Sequence, residues 1–279
     1  MAVGWFITRP SPLPASALDG LSGDAERGKI IFAAAGCASC HTAPEGDPLI
    51  LAGGQRFPSD FGTFIAPNIS PDPVHGIGAW SDLDLASAIT QGVSPGGAHY
   101  YPAFPYSAYN KAELADIVDL IAYLRTLPPS AEPSQPHDVG FPFNIRASLG
   151  GWKFLFSSQD WALADAATPE ITRGRYLVEA LGHCTECHTE RNALGGLKRD
   201  RWLAGAPNPS GEGRIPNITP TGLDWSAGEI AEYLKSGFTP EFDTAGGEMV
   251  AVIKNTSQLT DADRSAIAAY LKAIPGVSN

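Results

Sequence analysis

Cys37-Ala38-Ser39-Cys40-His41 and Cys184-Thr185-Glu186-Cys187-His188 decide how this chain is read. Each string is C-x-x-C-H. That spacing lets two thiols reach the two vinyl groups of one porphyrin while the adjoining imidazole comes to lie beneath the iron. The chain has four cysteines, and the two strings use all of them. Two covalently bound haem c groups are therefore expected, one on Cys37, Cys40 and His41, the other on Cys184, Cys187 and His188. Plainer uses of C-x-x-C fit less well. A structural zinc would need both knuckles to pool four thiolates, and these lie in opposite halves, each with its own histidine. A thioredoxin-like pair belongs in a βαβ setting, which surrounds neither string.

Composition narrows the rest. The 279 residues allow two domains of ordinary size, and 43% hydrophobic content is enough to pack them. Thirty glycines and 24 prolines imply long loops. A formal charge of -11, made more negative by haem propionates, argues against nucleic acid and anionic lipid and favours a partner with a basic patch. Residues 2–7, Ala-Val-Gly-Trp-Phe-Ile, form an apolar run too short to span a bilayer and without a basic flank ahead of it. The tail 1–20 reads as the end of a signal or anchor segment, or as a plain N-terminus.

Outward from the two motifs the chain repeats itself. Pro67-Asn68-Ile69-Ser70-Pro71 returns as Pro216-Asn217-Ile218-Thr219-Pro220, Trp80-Ser81 as Trp225-Ser226, and Gly92-Val93-Ser94-Pro95 as Gly237-Phe238-Thr239-Pro240. Such self-similarity means one supersecondary plan used twice. The fold class expected is mainly α, with two tandem helical haem domains and long Pro/Gly-rich loops. The boundaries are 21–130 for the first domain, 131–164 for a connector and 165–279 for the second. In each copy a helix opens before the haem motif, started by Asp24 or by Thr168-Pro169, and the chain leaves that helix at Gly36 or Gly182 to turn into the haem site. A short helix follows each Trp-Ser pair. Final helices are expected over 112–127, with Asn110-Lys-Ala-Glu113 as a capping-box-like start, and over 261–274, with a weaker start at Thr260. The connector is rich in aromatic residues and is expected to pack on both domains.

The iron of such a site needs a sixth ligand or stays open. Of two methionines, Met1 and Met249, only Met249 is a realistic ligand, and it belongs to the second haem. Used as a ruler, the repeat places Phe104 where the second half has Met249. Phenylalanine cannot ligate iron. His99, on the same loop, is the first choice for the first haem; Tyr100, Tyr101, Lys111 and an open position are its rivals, and the bland reading is a histidine near a propionate. His75 and His137 are less well placed, and His183 is held away by the turn of its own motif. Asn68 and Asn217 are placed to tie the loop or bond a propionate. Arg56 and Arg214 are placed to neutralise propionates, and Trp80 and Trp225 to pack on the ring and donate an indole N–H. For each of these six, plain packing is the competing role.

The two motifs, with Phe61-Gly-Thr-Phe-Ile-Ala-Pro-Asn-Ile-Ser-Pro-Asp72, His99-Tyr-Tyr-Pro-Ala-Phe-Pro-Tyr106, Arg214-Ile-Pro-Asn-Ile-Thr-Pro220 and Gly247-Glu-Met249, resemble the bacterial diheme cytochromes c built of two class I domains. The chain is similar to cytochrome subunits that take electrons from periplasmic dehydrogenases. The resemblance implies an electron-transfer protein rather than an enzyme, located in the periplasm as a soluble or N-terminally anchored protein. The donor implied is a dehydrogenase and the acceptor a cytochrome or an oxidase. Many such subunits carry a third haem domain and a membrane helix without counterpart in these 279 residues, and many have Met where this chain has Phe104. The rival function is a diheme enzyme, peroxidase-like or acting on a small molecule, using an open first haem. A thiolate-ligated haem is excluded, because no fifth cysteine exists. With His/His ligation at the first haem and His/Met at the second, electrons are expected to run from first to second, because His/Met generally lies at higher potential.

Overall fold

The computed structural model describes residue 4 and residues 8–44, 46–209 and 213–278. The apolar run at 2–7 lies outside the described residues except for Gly4. The chain divides into two units: Met1–Phe32 with Cys37–Ser158, and Ala33–Gly36 with Gln159–Asn279.

In the first unit, helix α1 (Ala25–Ala34) starts where expected: the Asp24 carboxylate accepts the amides of Glu26 (2.9 Å) and Arg27 (3.2 Å). Gly36, at φ 64°, turns the chain into α2 (Cys37–His41), which is the haem string itself. A hairpin follows, β1 (Arg56–Ser59) antiparallel to β2 (Gly62–Ile65), with Arg56 opposite Ile65. Helix α3 (Asp82–Gln91) opens on a capping box between Ser81 and Asp84 and closes on Gly92 in the left-handed region. Then come α4 (Tyr106–Tyr109) and α5 (Leu114–Leu124). Ile31, Phe32, Leu85, Tyr106, Ile117, Leu120, Ile121 and Leu124 are buried and form the core.

Two readings of this unit are corrected. Asn110 does not begin the final helix: it ends α4, its side chain donates to Ser157 Oγ at 3.1 Å, and Glu113 takes the N-cap place without making the capping bond. The final helix is accordingly shorter, 114–124. The connector also carries a helix of its own, α6 (Ser148–Phe156), which belongs to this unit.

The second unit repeats the plan. Thr168 accepts the amide of Ile171 at 3.2 Å and Pro169 is the first residue of α7 (Pro169–Tyr176). A π turn over Leu177–Leu181 continues it. There Glu179, fully buried, accepts the Tyr270 hydroxyl at 2.6 Å and the amide of Ala162. Gly182 is not the left-handed residue here: it stays near helical geometry and His183 takes φ 39° instead. Helix α8 (Thr185–His188) carries the haem histidine. A second hairpin pairs β3 (Ala206–Pro207) with β4 (Arg214–Ile215). Helix α9 (Ala227–Ser236) has its own capping box, Ser226 with Glu229, and Gly237 as its left-handed end. Helices α10 (Met249–Thr256) and α11 (Asp261–Ala273) complete the unit, the last capped by Thr260, which accepts the Asp263 amide at 3.0 Å. Among the described residues no helix is long and apolar enough to cross a membrane.

In both units the first helix crosses the last helix of the repeated plan, α5 or α11, at a glycine. A Cβ on Gly28 would collide with the carbonyl of Asp119, and one on Gly174 with that of Ala266. Arg27 bonds Asp119 at 2.7 Å and Arg173 bonds Asp263 at 2.8 Å beside the crossings. The ends of the last helices are held alike, Arg125 donating to the Trp80 carbonyl at 2.8 Å and Lys272 to that of Trp225 at 3.0 Å. Gly28→Ala and Gly174→Ala should each destabilise their own unit by about 1–3 kcal/mol or more, read as a lowered midpoint in denaturant unfolding with the other haem's transition unmoved.

Candidate functional site

The two haem histidines are held by the same pair of bonds. The carbonyl of His41 accepts the amide of Gly53 at 2.7 Å, and its Nδ1 lies 2.9 Å from the carbonyl of Pro67. The carbonyl of His188 accepts the amide of Gly205 at 2.7 Å, and its Nδ1 lies 2.8 Å from the carbonyl of Pro216. A carbonyl can only accept, so Nδ1 carries the proton and Nε2 is left with its lone pair. Burial holds both imidazoles below the ordinary histidine range, which keeps them neutral. This is the donor set of an axial haem ligand, one nitrogen anchored to the backbone and the other available to metal.

The thiols fit the same cofactor. Burial, with the neighbouring cysteine, pushes Cys37 and Cys184 up to about 12, so both are neutral in water near pH 7. The thiolate is the metal-binding form of cysteine, so neutral thiols of this kind are poor metal ligands. Among the described residues no group of three or more His, Cys, Asp or Glu could hold a metal ion on its own.

Glycine is required at two places behind these histidines. Gly53 and Gly205 have φ of 75° and 81°, and a Cβ on either would press into the strand that brings Pro67 or Pro216 forward. The asparagines that follow the prolines fasten that strand. Asn68 Nδ2 donates to the carbonyls of Ser130 and Glu132, both at 2.8 Å, and its Oδ1 accepts the Ser70 amide at 2.8 Å. Asn217 Nδ2 donates to the carbonyl of Val277 at 2.7 Å, and its Oδ1 accepts the Thr219 amide at 2.9 Å. Of the two roles open to these amides, tying the loop is the one the bonds display. Gly53, Gly205 and the proline carbonyls were not singled out in the sequence; the repeated Pro-Asn-Ile string was the signal that pointed to them.

The other named residues fall as follows. Arg56 and Arg214 are exposed and sit on the hairpins. Trp80 and Trp225 are half-buried, and the Trp225 ring lies 5.2 Å from Tyr233. Met249 is half-buried and is the first residue of α10 rather than part of a loop. Phe104 lies in a group of tyrosines, with ring centroids 5.9 Å from Tyr100, 6.4 Å from Tyr106 and 6.0 Å from Tyr109. His75 is exposed, and His137 Nδ1 accepts the amide of Ile65 at 3.0 Å.

His99 is 4% exposed. Its Nε2 lies 2.8 Å from the carbonyl of Thr8, while its Nδ1 is buried without a hydrogen-bond partner. Burial lowers its pKa. The connector reinforces the surrounding loop. Arg146 donates to the His99 carbonyl at 2.8 Å and lies 4.0 Å above the Tyr101 ring. Lys153, on α6, donates to the carbonyls of Gln91 (2.6 Å) and Gly92 (2.8 Å) and lies 4.5 Å from the centre of the Tyr106 ring.

Two small helical units, each with a C-x-x-C-H turn and a backbone-anchored histidine, define a two-haem electron carrier of the c type. The cytochrome c family model matches residues 25–128 and 171–275. The chain is 57% identical to a "Diheme cytochrome c-type" of Cereibacter sphaeroides, over 99% of this chain and 94% of that protein. It is 40% identical to the fructose dehydrogenase cytochrome subunit of Gluconobacter japonicus, over 89% of this chain and 52% of that one. It is 34% identical to the alcohol dehydrogenase (quinone) cytochrome c subunit of Gluconobacter oxydans, over 90% and 55%. The chain thus spans about half the length of these two subunits. It belongs to the cytochrome c family, and it is an electron-transfer protein with two covalently bound haem c groups.

Asn68→Ala should cost about 1–3 kcal/mol, because it strips partners from two carbonyls and an amide at once. The first haem's unfolding transition should move and the second's should not. Lys153 gives a pH effect. Burial pulls its ammonium down to about 8, against about 10.4 in an unfolded chain. The unfolded chain therefore holds more protons between those values, and stability rises as pH is raised across that window. The gain stays below about 3 kcal/mol, because the ammonium still meets water on one side. Denaturant melts at pH 8 and pH 10 should show it, and Lys153→Met should flatten it.

Proposed function

We propose that this diheme cytochrome relays single electrons in the periplasm, from a dehydrogenase to a cytochrome or oxidase, entering at the first haem and leaving from the second. The observation that carries the relay is the matched pair of anchored imidazoles, His41 on Pro67 and His188 on Pro216. A bound haem supplies a one-electron couple, and the chain's part is to fix the axial nitrogens and exclude water. Histidines locked in this way need little rearrangement between oxidation states, which suits outer-sphere transfer. Similarity to cytochrome subunits of fructose and alcohol dehydrogenases supports the class of donor.

Met249 is the sixth ligand assigned to the second haem and His99 to the first. The anchoring pattern supports His99. Its Nε2–H is occupied by the Thr8 carbonyl, so Nδ1 is the nitrogen left with a lone pair, buried and otherwise unpaired. The arrangement is the proximal one with the two ring nitrogens exchanged. Arg56, Arg214, Trp80 and Trp225 are assigned to the propionates and porphyrin faces. His/His against His/Met ligation sets the second haem higher in potential.

Met249→Ala should remove the thioether–iron signature from one haem and lower that haem's potential, measured by optical redox titration. His99→Ala should convert the other haem from six-coordinate low spin. Unchanged spectra in both variants, or two haems of equal potential in the natural protein, would remove the assignment and the direction of flow with it.

A further inference from the structure

The turn that follows α3 recurs after α9 bond for bond. In the first unit Val93 pairs with His99, the Ser94 amide donates to the Ala98 carbonyl at 2.9 Å and the Gly97 amide to the Ser94 carbonyl at 2.9 Å. In the second unit Phe238 pairs with Thr244, the Thr239 amide donates to the Asp243 carbonyl at 2.8 Å and the Phe242 amide to the Thr239 carbonyl at 3.0 Å. This register sets Phe242 on Gly97. Both take positive φ, 73° at Gly97 and 64° at Phe242. Glycine adopts that geometry freely; a bulky aromatic residue is strained in it. Phe242 is also 90% exposed, so packing against the rest of the protein does not compensate for the strain. Neither the backbone nor the core accounts for a phenylalanine here, and strain held at an exposed position points to a task outside the fold.

Its neighbours indicate the task. Where the first unit has Gly96 and Ala98, the second has Glu241 and Asp243, both exposed, and Glu248 is exposed just beyond. Phe238 and Val250 add exposed apolar surface, 54% and 44%. The tip is therefore an exposed aromatic residue with acidic residues on either side of it in the chain, an acidic collar in sequence, on the stretch that leads directly into Met249. Aromatic anchors with charged surrounds are the usual composition of a docking centre and its rim.

We propose that the 239–244 turn of the second unit docks a redox protein whose contact face has basic residues around an apolar centre, with Phe242 as the anchor. A second copy of this chain is the poorer occupant, since acidic collar would meet acidic collar on molecules that each carry -11. The inference rests on the reading that electrons leave from the second haem.

The test is stopped-flow oxidation of the reduced holoprotein by two probes, a basic single-haem cytochrome c with lysines around its haem edge and hexaammineruthenium(III). Phe242→Gly installs the first unit's own residue. It should melt a few degrees higher and keep both haem spectra and potentials, yet react about tenfold more slowly with the basic cytochrome and at an unchanged rate with the ruthenium complex. Glu241→Lys with Glu248→Lys should also slow the protein reaction and flatten its dependence on salt. The proposal is overturned if Phe242→Gly matches the natural rate with the basic cytochrome. It is equally overturned if that variant shifts a haem spectrum, which would make Phe242 a porphyrin contact, or if it abolishes a dimer that the natural protein forms. An unchanged spectrum in Met249→Ala tells against the ligand and flow reading, and is separable from failure of the docking site, which is read from the Phe242→Gly rates.

Discussion

A hydrogen bond from an imidazole N–H to a proline carbonyl is the constraint on which each half of this molecule is organised. It decides which nitrogen keeps its lone pair, and so whether the C-x-x-C-H turn can offer an axial ligand. Much of the surrounding loop serves to bring that carbonyl to its place. Gly53 and Gly205 let two strands of chain run closer than a side chain allows, and Asn68 and Asn217 fasten the Pro-Asn-Ile strand to the segment after the last helix. A second shell of this kind is typically worth 10–100-fold in metal affinity or activity. That both halves keep it intact is consistent with two functioning haems in one chain.

Where the halves part company is in the loop that follows the helix after each Trp-Ser pair. The second unit leads into Met249 at the start of a helix, while the first sets Phe104 among tyrosines and buries His99 close by. The connector adds two cations to the first loop, Arg146 over Tyr101 and Lys153 over Tyr106, each also donating to main-chain carbonyls. One anchoring scaffold thus serves two halves whose later loops differ, and under the proposed ligation that difference is what gives the carrier a direction.

The haem strings, the internal repeat and most helix starts were legible because each rests on chemistry local to a few residues: two thiols and an imidazole, Asp24 or Thr168 before a helical run, a glycine after one. The misreadings came where tertiary contacts outweighed local pattern. Asn110-x-x-Glu113 has the look of a capping box, but a contact with Ser157, far along the chain, recruits Asn110 to the end of the preceding helix. Gly182 is the expected end of its helix, yet a π turn precedes it and the positive φ falls on His183 instead. Nothing in the sequence near Ser148 announced a helix whose lysine would reach the carbonyls at 91 and 92. The proline carbonyls are invisible for a different reason: a backbone acceptor has no letter of its own.

The bond between Thr8 and His99 has a practical consequence. The chain near its beginning is not a loose leader that can be exchanged at will: the Thr8 carbonyl orients an imidazole, the Leu13 amide bonds Ser87 Oγ at 3.1 Å, and Gly150 leaves no room for a side chain between itself and Thr8. Under the proposed His99 ligation, a change at Thr8 or Leu13 would be felt at the first porphyrin and not at the second.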